Sequence, residues 1–173
     1  LHSIVLQLTV MAISPVLLAR FSVLVAQRDY ASLRRLLGKG AWVSLAIGGI
    51  AAALVWLAGA PLLVFVFGGR FDATAADLVA GHWFWLAVGL SASMFGNVLA
   101  KVWQAQGSAR LLSVLAGFGL VVFIASWSLL ASLIGQYAVG AAMTLSAYSV
   151  TAALWFLWQS RQTSDAGPVR VVE

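Results

Sequence analysis

The sequence predicts an all-α fold, a polytopic transmembrane helical bundle of about five spanning helices. Three observations predict it. Hydrophobic residues make up 62% of the chain and charged residues 9%, against roughly half and a quarter in soluble domains, and the mean hydropathy is +1.00. The apolar character recurs along the whole chain, whereas a secretory signal has a single apolar run of roughly 7 to 15 residues. Charge is confined to short stretches, and none occurs from Gly40 to Gly69, from Leu78 to Ala100 or from Leu111 to Ser160. An open sheet is excluded because unpaired backbone groups cannot be left in lipid.

Each element follows from where charge stops and where helix breakers fall. A span needs about 20 apolar residues. Residues 2–24 hold the first span, with Arg20 near its inner end; the chain starts at Leu1 inside a hydrophobic run and so reads as a truncated piece of something longer. Next comes "AQRDYASLRRLLGKGAW", with Tyr30, Leu33, Leu36 and Leu37 on one helical face and Arg34, Arg35 and Lys39 toward water. That pattern predicts a short amphipathic helix on the membrane surface, with Asp29 as N-cap and membrane lipids as its partner. Residues 41–67 hold the second span, which Gly68-Gly69 ends as a turn. Thr74-Ala75-Ala76-Asp77 fits a capping box that opens the third span over 75–105. The last charge-free stretch is long enough for two spans, 111–133 and 137–159, divided at "SLIGQYAVG". A transmembrane lobe over 1–159 is therefore expected, followed by a polar cytoplasmic tail over 160–173.

The charges orient the bundle. Arg20, Arg28, Arg34, Arg35 and Lys39, then Lys101 and Arg110, then Arg161 and Arg170 fall in alternate connections, which the positive-inside rule assigns to the cytoplasm. Arg70, Asp72 and Asp77 fall on the outer side, where His82, Trp83 and Trp85 read as an interfacial aromatic belt. The net charge of +5 thus reflects topology, and no nucleic-acid partner is expected. The chain has no cysteine, and no hydrolase triad, phosphate loop or metal-ligand cluster is apparent. Neither catalysis nor a metal nor a cofactor is expected.

Four stretches in order, "SPVLLARFSVLVAQRDYASLRRLL", "GAPLLVFVFGGRFDATAADL", "VWQAQGSARLLSVLAG" and "IGQYAVGAAMTLSAYSVTAALWF", carry a family resemblance. They resemble the polysaccharide-exporter branch of the multidrug/oligosaccharidyl-lipid/polysaccharide flippase superfamily. The matching residues are Pro15 and Ala19; Asp29 with Leu33 and Leu36; Phe67, Gly68, Phe71 and Ala75; the Ala105-to-Gly107 turn; and Gly140-Ala141-Ala142. The last motif is met in part, because Tyr137 stands where the family has a glycine. The resemblance implies a plasma (inner) membrane, multi-pass flippase that moves a polyprenyl-pyrophosphate-linked saccharide by alternating access. This chain would be its C-terminal lobe and a missing N-terminal lobe its partner. A lipid II flippase of peptidoglycan synthesis is the alternative, and a non-transporting membrane scaffold subunit is a further one.

Candidate site residues come from polar stripes. Gly89, Ser93, Asn97 and Lys101 recur every four residues on helix three. Under the resemblance, Asn97 can hydrogen-bond the substrate and Lys101 can pair with its pyrophosphate. The same stripe also fits close helix packing, with Lys101 snorkelling to the inner interface. Helix one offers Gln7 beside Ser3 and Ser14, and helix five offers Thr144, Tyr148 and Thr151; both stripes suit interhelical hydrogen bonds. Lys101, Asn97, Ser93 and Gln7 are the candidate substrate-binding residues.

Overall fold

The computed structural model describes residues 15–67 and 72–165. Among these residues there is no strand. Helix α1 covers Pro15–Ala26; α2 is Tyr30–Val66, α3 Ala73–Ala105 and α4 Ala109–Ile134, and a 3-10 turn at Gly135–Tyr137 leads into α5, Ala138–Asp165. Tyr30–Val66, Ala73–Ala105 and Ala109–Arg161 are long and apolar enough to cross a membrane. The last of these folds back at Gly135, whose φ of 55° few other residues adopt, so α4 and α5 form an antiparallel hairpin.

Three local expectations are corrected. The amphipathic segment is not a separate surface helix, because α2 runs unbroken for 37 residues. Only Gly38 and Gly40 weaken the junction, and a glycine costs about 1 kcal/mol in a helix where a proline costs about 3. At 1.5 Å per residue α2 is about 55 Å long, against a hydrocarbon core of about 30 Å, so its basic first turns extend past the apolar layer. Asp29 does cap it, accepting a hydrogen bond from the Ser32 backbone N–H at 3.0 Å. At α3 the cap is Asp72, which accepts from the Ala75 N–H at 2.6 Å, and Thr74 lies in the first turn. A carboxylate three residues before that N–H has the N-cap geometry already, so the Thr74 capping box does not form. Finally, α5 continues to Asp165, six residues into the expected tail, since the first breakers in the sequence, Gly167 and Pro168, come later.

Packing follows the small residues. Antiparallel α2 and α3 meet where Gly48 faces Ser91 and Gly59 faces Ala80. Parallel α3 and α5 meet at Gly89 against Thr144 and Gly96 against Thr151, and α4 meets α5 at Gly119 against Val150. Since α2 does not pack directly on α5, the helices form a layer in the order α2, α3, α5, α4. Among the described residues a hydrophobic core of large side chains gathers at one end, where Phe21, Leu33, Leu37, Leu99, Val102, Trp103, Leu115, Leu154 and Trp158 are buried together.

The same end carries the described basic residues, because it holds the C-termini of α1, α3 and α5 and the N-termini of α2 and α4. Two tight turns close it. In each, the helix-end N–H groups bond back to carbonyls of the last turn: Asp29 to Leu24 and Arg28 to Val25, Ser108 to Trp103 and Gly107 to Gln104. The left-handed residue is Gly107 in one turn (φ 72°) and Arg28 in the other (φ 53°). Asp72 and Asp77 lie at the opposite end.

Candidate functional site

The polar stripe of α5 is consumed by packing. Thr144 Oγ1 donates to the Trp85 carbonyl and Thr151 Oγ1 to the Ala92 carbonyl at 2.8 Å. Tyr148 Oη lies 2.8 Å from Ser91 Oγ, and both hydroxyls reach the Val88 carbonyl, at 3.2 and 3.0 Å. Tyr137, Thr144 and Thr151 recur every seven residues against Gly81, Gly89 and Gly96 of α3. That spacing keeps one face of α5 on one face of a parallel neighbour, and each glycine admits the bulkier side chain opposite.

A cleft of about 700 Å³ opens between α3 and α4 with α5 as its floor. Ser93, Asn97 and Gln104 line its α3 edge; Leu112, Leu120 and Phe123 of α4 and Met143 and Val150 of α5 make the rest mainly apolar. Asn97 is exposed and donates from Nδ2 to the Ser93 carbonyl at 2.9 Å. Lys101 is half-buried and donates from Nζ to Gln104 Oε1 at 2.9 Å, which ties it to the cleft rim at the basic end. One of its three ammonium protons is so engaged. Beyond it, the Arg161 guanidinium lies 4.6 Å from the Trp103 ring centre and donates to Ser108 Oγ at 3.4 Å, holding the end of α5 on the α3–α4 turn.

The structure thus brings Ser93, Asn97 and Lys101 to one edge but turns Gly89 away into the α5 interface. Four residues overshoot a helical turn by about 40°, so a four-residue stripe winds around the helix and its ends face different neighbours. Gln7 lies outside the described residues. Gln104 escaped the sequence reading; its signal is the spacing Asn97, Lys101, Gln104, which continues the winding in steps of four and three.

Comparison with known families matches residues 1–172 to the family described as Lipid II flippase MurJ. The chain belongs to the MurJ family of lipid II flippases. No curated protein and no solved structure matches it. Membership in the MurJ family, with the spanning helices above, makes this a multi-pass membrane protein of a family that flips a lipid-linked substrate. The match backs the lipid II alternative better than the polysaccharide-exporter branch, which it does not support specifically. The motifs reach the superfamily and no further because of what they do. Asp29 caps a helix, Ala105 to Gly107 make a turn, and Gly140 approaches the His82 carbonyl and Trp85. Such residues report a shared architecture and carry no information about the saccharide. MurJ membership comes from the chain as a whole.

Proposed function

We propose that the chain forms part of a transporter, not an enzyme, that moves lipid II across the plasma membrane for peptidoglycan synthesis, with the basic end cytoplasmic. The single observation that carries this reading is the family match over residues 1–172. The cleft chemistry supports it. An amphiphile with a polyprenyl chain and a pyrophosphate needs an apolar wall beside a polar, cationic edge. The α4 and α5 walls supply the first, and Ser93, Asn97, Gln104 and Lys101 the second. Such transporters bind substrate between repeated halves, so a second lobe upstream is the partner that completes the cavity.

The test is complementation by the full-length protein carrying this chain. In cells depleted of their own lipid II flippase it should restore growth and make lipid II accessible to an externally added, membrane-impermeant lipid II-cleaving enzyme. Restored export of a surface polysaccharide without restored growth would return the substrate to the polysaccharide branch. Neither, in well-expressed protein, would favour a scaffold.

A further inference from the structure

We propose that the groove between α2 and α5, on the layer face opposite the lipid II cleft, is a binding site for an anionic phospholipid of the bilayer. The groove holds about 460 Å³ and is lined by Leu37, Gly38, Trp42 and Leu45 of α2 and by Trp155 of α5, over Phe95 of α3. Its lining is almost wholly apolar and aromatic, suited to an acyl chain. It reaches the basic end at Gly38, where an added Cβ would meet nothing within 4 Å. The wall is therefore open at that level.

What stands at this opening selects the headgroup. Arg34 shares a helical face with Gly38, Ala41 and Leu45, and Arg35 with Gly38 and Trp42, by the i+3, i+4 and i+7 rule. Both guanidinium-bearing residues are exposed, one turn beyond the groove, and Arg35 also lies near enough to the Asp29 carboxylate to act on it electrostatically. Trp42 is 76% exposed at the same mouth, an amphipathic ring suited to the headgroup level. A phosphate with one net negative charge complements two fork-shaped cations, while its acyl chain takes the groove. A zwitterionic lipid offers the same chain without the net charge.

The experiment is native mass spectrometry of the full chain in detergent micelles, with dioleoyl phosphatidylglycerol and dioleoyl phosphatidylcholine as probes. The first phosphatidylglycerol adduct is expected at least fivefold above the phosphatidylcholine adduct. Arg34→Ala/Arg35→Ala should lower it fivefold or more, and Arg34→Lys/Arg35→Lys should recover part of the loss. Gly38→Leu puts bulk at the opening, where its Cβ meets nothing within 4 Å, and keeps every charge, so it should reduce the adduct as far as the double alanine variant does. Arg110→Ala should change nothing. Undiminished binding by Gly38→Leu would overturn the site and leave only non-specific charge attraction. So would equal binding of the two lipids. Quantitative cross-linking of Trp42→Cys to a polypeptide helix in intact membranes would overturn it as well, by giving the groove a protein occupant.

Discussion

Replacing Gly48 with alanine should weaken the α2–α3 interface, and its neighbour Gly49 supplies a matched control. A Cβ at position 48 would lie 2.6 Å from Ser91 Cβ, 2.8 Å from Ser91 N and 3.0 Å from Ser91 Cα. Carbon atoms prefer about 3.5 to 4.0 Å, so the helices must part by about 1 Å, and a gap of that size forfeits about a quarter to a half of each contact it opens. Overpacking of this kind costs about 1–3 kcal/mol. Against it, alanine gains about 0.8–1 kcal/mol of helix propensity over glycine. Gly49→Ala makes the same gain with nothing within 4 Å of its new methyl group. The propensity terms cancel between the variants, and Gly48→Ala should be the less stable by about 1–3 kcal/mol. Equilibrium unfolding by SDS in mixed micelles, followed by helical circular dichroism, measures the difference. A Ser91→Gly background should rescue Gly48→Ala only in part, since the backbone atoms of residue 91 still clash. If Gly48→Ala unfolds at the same SDS fraction as Gly49→Ala, or a higher one, the close approach of α2 to α3 is wrong.

Thr151→Val, which keeps the shape and removes the bond to the Ala92 carbonyl, should cost about 0.6 kcal/mol and at most about 1.7 in the same unfolding assay. Hydrogen bonds from Ser32, first its hydroxyl and then its backbone N–H, and the nearby Arg35 charge hold the Asp29 carboxyl below its usual range. A lowered folded pKa means the cap's stabilisation is complete above the unfolded value, near pH 4. It is then lost as pH falls through the folded value. Asp29→Asn, still a capping residue, should flatten that acid limb of the unfolding midpoint, and an unchanged limb would exclude Asp29 as its source. Lys101→Ala should abolish complementation while Lys101→Arg retains part of it, with membrane abundance checked in parallel; full activity of Lys101→Ala would leave the lysine a snorkelling residue. In the cysteine-free chain, Thr74→Cys should react with an impermeant thiol reagent in sealed cells and Ser32→Cys should not. The reverse pattern would invert the proposed orientation.

The class of fold was legible in the sequence because lipid imposes a one-dimensional rule. An apolar run of sufficient length must be a helix there, and Gly40 to Gly69 or Leu78 to Ala100 can be nothing else. The same holds for the grouping of cations at one end, since Arg34, Lys101, Arg110 and Arg161 follow from alternation along the chain. Helix caps were half legible. Asp29 stands out as a cap in the sequence, but at α3 both Thr74 and Asp72 suit the role, and only the backbone at their turn chooses Asp72. Which neighbour each face meets was not legible at all. A glycine looks alike in sequence whether it admits a backbone, as Gly48 does, or leaves an opening, as Gly38 does. The separation of Gly89 from Ser93 and Asn97, the anchoring of Lys101 on Gln104, and the cleft between α3 and α4 are properties of three helices at once. The order α2, α3, α5, α4 is not the order of the chain. Periodicity tells which residues share a side of one helix, whereas the choice of neighbour depends on small residues from two helices fitting together, and only the tertiary structure decides that.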